Sequence, residues 1–318
     1  MIKGFIAVFV IMICLPFLIA YGHYKRTQGT PLFINQTRKK DVRYFGHSFR
    51  AMLQKARLNK DTKIITIREE EPYLEEADLK ENPGCVDSLV LDLHGPLEVP
   101  KAITNIKKEV YGSDSVFFTG GGDITCRAIC AEKDIHIEKN LMLERWMDAE
   151  ETIFIHGDCD LGINTAAGKA IHIEGRSVFR RLYAPRISVG ACAPYEAPSF
   201  SEDQTQADII SEKGVTISDG DCIRGSISSH RFIKIGNNAV VSGNLFADGG
   251  IVIGDNAHIL GNVFSQENVF LGNGVTIGKE GEIRSVVARG RIHLAAGDQI
   301  YGFISCEQEG EIMSRQYA

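Results

Sequence analysis

Tryptophan occurs once in the 318 residues, and no excess of basic charge is present: the formal net charge is −6 and the pI is near 5.9. A nucleic-acid partner, which requires a basic face, is therefore not expected. No two cysteines have CxxC spacing, which excludes a zinc ribbon. The eight cysteines are Cys14, Cys85, Cys126, Cys130, Cys159, Cys192, Cys222 and Cys306. Cys14 lies in an apolar run, so an odd number follows it, and these read as small buried residues in a reducing compartment. The run Gly120-Gly121-Gly122 lacks the lysine and hydroxyl residue of a phosphate loop and reads as a turn. What the chain has in quantity is glycine, at 32 residues, among isolated isoleucines and valines. That composition predicts many short strands and tight corners.

The N-terminus carries the long apolar run, Gly4 to Ala20, behind Met1, Ile2 and Lys3. A spanning helix needs about 17–25 such residues, so residues 1–22 are expected to form a transmembrane anchor. A cleaved signal peptide is the alternative, with Ala20-Tyr21-Gly22 as the cleavage site, although the run exceeds the usual apolar core of about 7–15 residues. Only Lys3 precedes the run, whereas Lys25, Arg26, Arg38, Lys39, Lys40 and Arg43 follow it. This asymmetry places the bulk of the chain on the cytoplasmic side of an inner membrane, with a periplasmic location as the alternative, and offers anionic lipid as a partner. Residues 23–84 read as a juxtamembrane connector. Within it a short helix is expected from Ser48 to before Asn59, a strand over Thr62–Arg68, and a solvated acidic linker over Glu69–Glu81.

From Arg127 the chain falls into blocks of 18: RAICAEKDIHIEKNLMLE, RWMDAEETIFIHGDCDLG and INTAAGKAIHIEGRSVFR. Ala131, Ala149 and Ala167 coincide, as do Ile135, Ile153 and Ile171, and Ile137, Ile155 and Ile173. The period returns in Gly225, Gly243 and Gly261, in Ile233, Ile251 and Val269, and in Ile235, Ile253 and Leu271. Gly236, Gly254 and Gly272 follow the last set directly. In each I-x-I unit the outer two residues share one face of a strand, and the glycine after them is expected to supply corner geometry. One such turn cannot bury its own apolar face; stacked copies can. The fold class expected is therefore all-β, a parallel β-helix with about 18 residues per turn, preceded by one transmembrane helix. About ten turns are expected, in segments 85–190 and 207–306; the break at 191–206 reads either as a loop inserted in one helix or as a joint between two stacked segments, and residues 307–318 as a frayed tail. An insertion near Lys279–Glu282 interrupts the period. The period suits either hand of coil.

The stretch VVSGNLFADGGIVIGDNAHILGNVFSQENVFLGNGVTIG, with Gly243-Asn244-Leu245 and Gly261-Asn262-Val263 each leading into an I-x-I-Gly unit, resembles the bactofilins. These are polymer-forming bacterial cytoskeletal proteins. The resemblance covers about residues 208–278 well and 86–190 more loosely. It implies a right-handed coil that joins end to end, at the membrane, without nucleotide. This chain differs in a repeat region about twice as long, in its interrupting loop, and in large residues such as Trp146, Arg180, Arg181 and Tyr183.

Two enzyme classes share such coils. Hexapeptide-repeat acyltransferases use a histidine base, but His136, His172 and His293 fall at outward strand positions, and His156, His230 and His258 near corners or strand starts. None is beside a nucleophile in sequence. His136 and His172, two turns or about 10 Å apart, are too distant to share one zinc. Polysaccharide-acting coils need clustered carboxylates, for which Asp134, Glu150 and Glu151 are the candidates. The expectation is a non-enzymatic scaffold with no catalytic, cofactor or metal residue. Its partners are copies of itself, as a homopolymer or end-to-end dimer, membrane lipid and cell-envelope enzymes.

Overall fold

The computed structural model describes Phe17 and residues 41–55, 64–66, 84–87, 89–93, 95–120, 122–138, 140–194, 198 and 208–313. Residues 42–318 form one compact unit. The apolar run of the sequence, apart from Phe17, and the acidic segment 69–81 lie outside the described residues. Among the described residues no helix is long and apolar enough to cross a membrane.

The strands form a single 29-stranded sheet wound into a β-solenoid of about 12 turns, two more than the sequence suggests. Coil one runs from Cys85 to Val189 and coil two from Ile209 to Met313. Within each coil, successive turns pair parallel, with register shifts in coil one between Ile106 and Glu109 and between Cys126 and Ala128. Val116, Ile135, Ile153, Ile171 and Ile187 stack in coil one. Ile233, Ile251, Val269 and Ile292 stack in coil two, as do Ile235, Ile253 and Leu271. All of these residues are buried, and one continuous apolar core contains them. Each contributes about 1.5–3 kcal/mol, so the columns are the main source of stability. The insertion at Lys279–Glu282 closes on itself in an isolated bridge, and the columns resume with Val263 beside Val286.

Two expectations need correction. The sheet is not parallel throughout: the last turn of coil one, Ser177–Val189, pairs antiparallel with Gln299–Met313 of coil two. Ser177 faces Ile312, Leu182 faces Ile304 and Ile187 faces Ile300, so the pairing runs along the whole last turn. The coils thus meet tail to tail, and both C-terminal faces are consumed. The frayed tail is also replaced through Met313 by strand, because residues 307–313 supply part of this joint. Ala193 ends coil one beside Gln299, whose side chain donates to its carbonyl at 2.6 Å. Asp208 starts coil two at the opposite end, five strand spacings or ~24 Å away. Of the expected loop, residues 191–194 and 198 are described.

In the connector, the helix α1 spans Tyr44–Lys55, starting four residues before the sequence suggests. A strand at Ile64–Thr66 lies within the predicted one and pairs with Leu89–Leu91 of the first turn.

Candidate functional site

Outward positions of the I-x-I units build ladders of their own. Phe117, His136, Phe154 and His172 stack face to face, with ring centroids 4.6, 4.7 and 5.3 Å apart. Phe270 stacks on His293 at 4.5 Å. Burial lowers the pKa of His136 and His172, which favours neutral rings in these stacks. His293 also pairs with Glu311 at 3.2 Å, and two other histidines pair with acids of a neighbouring turn, His156 with Glu174 at 2.7 Å and His230 with Asp248 at 2.8 Å. The fold does bring one histidine to a hydroxyl that sequence proximity could not reveal, since His172 Nδ1 lies 2.5 Å from Ser188 Oγ. Ser188 is only 3% exposed, within the joint, where a substrate carbonyl has no access. Among the described residues no cluster of His, Cys, Asp or Glu has the form of a metal site.

At the corners, Gly236, Gly254 and Gly272 do not adopt left-handed backbone. They are glycine because the preceding turn passes too close: a Cβ on Gly254 would lie 2.7 Å from Asn237 Oδ1 and 2.8 Å from its amide nitrogen. The left-handed residues form the next column, Gly220, Asn238, Asn256, Gly274 and Gly297, with φ of 73°, 54°, 55°, 70° and 86°. Beside them runs a hydrogen-bonded ladder. Asn237 N–H donates to Asp219, Asp255 N–H to Asn237 and Asn273 N–H to Asp255, each at 2.8 Å. A second ladder runs through Asp208, Ser226, Asn244, Asn262 and Ser285. Each side chain satisfies a corner N–H that strand pairing leaves over.

The dock between α1 and coil one was not expected from the sequence. There Tyr111, Cys130, Asp148 and Ala166 form an outward column. Asp148 is 1% exposed. Arg43 Nη2 and Arg50 Nη1 both donate to its Oδ1, at 2.6 and 2.5 Å. Arg43 also donates to Glu150 Oε2 at 3.0 Å, and Arg50 to Glu132 Oε1 at 2.9 Å, which accepts from Tyr111 as well. Phe49 packs edge-on against Trp146 at 5.6 Å, and Phe45 stacks over Trp146 at 6.4 Å. Gly46 lets the helix approach until a Cβ would meet the Asp148 carboxyl. Burial raises the pKa of Glu150, but the hydrogen bond from Arg43 and the charges of both arginines outweigh it and hold the group below its ordinary value. Burial pushes the Cys130 thiol up, making it a packing residue. Breaking a buried ion cluster strands its remaining charges, so the dock holds α1 against coil one. Strand ends buried on both faces, at Ala128–Ala131, Trp146–Ala149 and Asn164–Ala167, were the available signal.

A concave surface of about 590 Å³ crosses the joint, lined in part by Asp123, Asn140, Asp158, Asp160, Glu309 and Glu311. Two of its acids build corners, where Asp158 Oδ1 accepts from Arg176 N–H and Asp160 Oδ1 from Gly162 N–H, both at 2.9 Å; Asp123 accepts from the Asn140 side chain. Of the acids singled out in the sequence, Glu150 serves the α1 dock, Glu151 pairs with Lys169, and Asp134 accepts from Thr152 N–H.

The ends of the coils complete the site. At the start of coil two, Ile209–Ser211, Val215–Ile217 and Cys222–Ile223 pair only with the second turn. Among the described residues their outer edges have no strand partner. At the start of coil one, Ile64–Thr66 covers one strand, while Cys85–Val86 and Leu97–Val99 pair only inward among the described residues. No family model, curated protein or solved structure matches the chain.

Proposed function

We propose that this chain is a non-enzymatic, membrane-associated scaffold that assembles through the ends of its coils. In this reading the coil winds right-handed, as in the bactofilins the sequence resembles, and residues 1–22 anchor it with the coils on the cytoplasmic side. The observation that carries the proposal is the tail-to-tail joint, in which two coil faces pair edge to edge along the last turn of each. A β-solenoid end is a row of unpaired backbone donors and acceptors, and such edges recruit other edges. The remaining coil ends offer the same chemistry to a second molecule. The engagement of His172 with buried Ser188, and of Asp158 and Asp160 with corner amides, supports a structural role over acyl transfer or polysaccharide cleavage.

The test is sedimentation of the full chain in detergent micelles over a range of concentrations. Self-association that strengthens with concentration is expected. A monomer throughout, with and without lipid, would overturn the proposal.

A further inference from the structure

The molecule has two coils and hence four coil faces. The joint consumes both C-terminal ones. On the first turn of coil one, strand Ile64–Thr66 adds a single strand to one side. It stands about 4.8 Å proud of that face and prevents flush contact with a three-sided end. The first turn of coil two bears no such addition among the described residues. Its bonding is also one-directional. Ile209 N–H donates to Ser226 C=O, Val215 N–H to Phe232 C=O, and Ser211 and Ile223 C=O accept from His230 and Ser242 N–H. Adjacent residues of a parallel strand point their amides to opposite sides, so the backbone groups of Ile210, Thr216 and Cys222 face outward along the axis. Ile210 is 80% exposed beside them.

We infer that the first turn of coil two, Ile209–Ile223, is a homodimerisation face that takes the same face of a second copy in antiparallel edge-to-edge contact. This inference rests on the scaffold reading and narrows it. One usable face gives a closed two-fold pair, whereas a filament needs two faces. The molecule's own joint supplies the precedent, because there two solenoid ends meet antiparallel with inward columns aligned, Ile187 beside Ile300 and Leu182 beside Ile304. The first turn of coil two presents comparable inward residues, Val215 and Ile217, at the end of the core.

Analytical ultracentrifugation and hydrogen exchange of the full chain in detergent test this. The expected result is a monomer–dimer equilibrium that stops at the dimer, with amides of residues 208–224 exchanging at least tenfold more slowly in the dimer than in the diluted monomer. The double substitution Ile210→Pro, Thr216→Pro removes two outward N–H groups and none that bonds within the coil. It is expected to weaken dimerisation at least tenfold with the thermal midpoint kept within a few degrees. The wild-type concentration series decides the matter if that variant misfolds. Open-ended polymers would overturn the inference and leave the scaffold reading standing. Monomers at every concentration would overturn both, and protection of 208–224 independent of concentration would overturn the inference by showing the edge already covered within one chain.

Discussion

Asn256 and Gly254, two residues apart, carry glycine-like demands of opposite origin. Asn256 holds φ at 55°, where a residue with an ordinary side chain is strained by about 1–2 kcal/mol. Gly254 has ordinary backbone but no room for a Cβ, because the Asn237 amide lies where one would go. Asn256→Gly is therefore expected to change stability by a few tenths of a kcal/mol, and Asn256→Ala to cost about 1 kcal/mol. Gly254→Ala should cost more than either, since two of the three atoms it meets, Asn237 N and Gly236 C at 2.8 Å, are backbone and cannot rotate aside. Urea denaturation of the three variants checks the order; equal losses at both positions would contradict it. The 18-residue period made the position of Gly254 legible, but not its cause, because close approach by the preceding turn is a fact about stacking. The left-handed column was within reach of the sequence, since Gly220, Asn238, Asn256 and Gly274 share one register and glycine and asparagine are the residues that tolerate it.

At the scale of elements, α1 was legible as a helix and illegible as a docked one. Its start at Tyr44 follows from Arg43, Gly46 and Phe49 meeting the coil, partners about a hundred residues away in sequence. Removing one member of a buried ion cluster strands the rest, typically at about 3–5 kcal/mol. Asp148→Ala removes the buried acceptor that Arg43 and Arg50 share, leaving them the more exposed Glu150 and Glu132, and is expected to release α1 while the coils stay wound. Trp146, the sole tryptophan, lies beneath Phe45 and Phe49 and reports the event as a red shift of its emission. An unshifted spectrum would mean that the ion cluster does not hold the helix. The same probe reads pH. Glu150 has its folded pKa below the unfolded value of about 4.3, so its contribution is fully present above that pH and is lost as pH falls through the depressed folded value. Trp146 emission should hold steady from neutral pH to about 5 and shift red below about 4; Glu150→Gln should weaken docking at neutral pH and flatten that acid-induced shift.

The whole molecule shows where a periodic sequence stops being informative. Aliphatic residues at constant spacing announce a solenoid, yet the same inward columns serve parallel and antiparallel neighbours equally well. Ile187 rests on Ile171 within coil one and on Ile300 across the joint, and its sequence context cannot distinguish the two. The reversal lies in the fit of the two last turns. Gly310 is the critical residue of that fit, because a Cβ there would enter the ring of Phe179 on the opposing strand. Stacked repeats unfold together only when their interfaces are strong, and here a single core crosses the joint. The wild type is therefore expected to melt in one calorimetric transition. Gly310→Leu forces Phe179 aside at about 1–3 kcal/mol, the usual cost of overpacking, applied wholly to the interface between the coils. That variant is expected to melt in two transitions, coil by coil, with the turns far from the joint still protected from hydrogen exchange at the first midpoint. A single transition merely shifted to lower temperature would mean that the coils depend on each other through more than the strands that pair them.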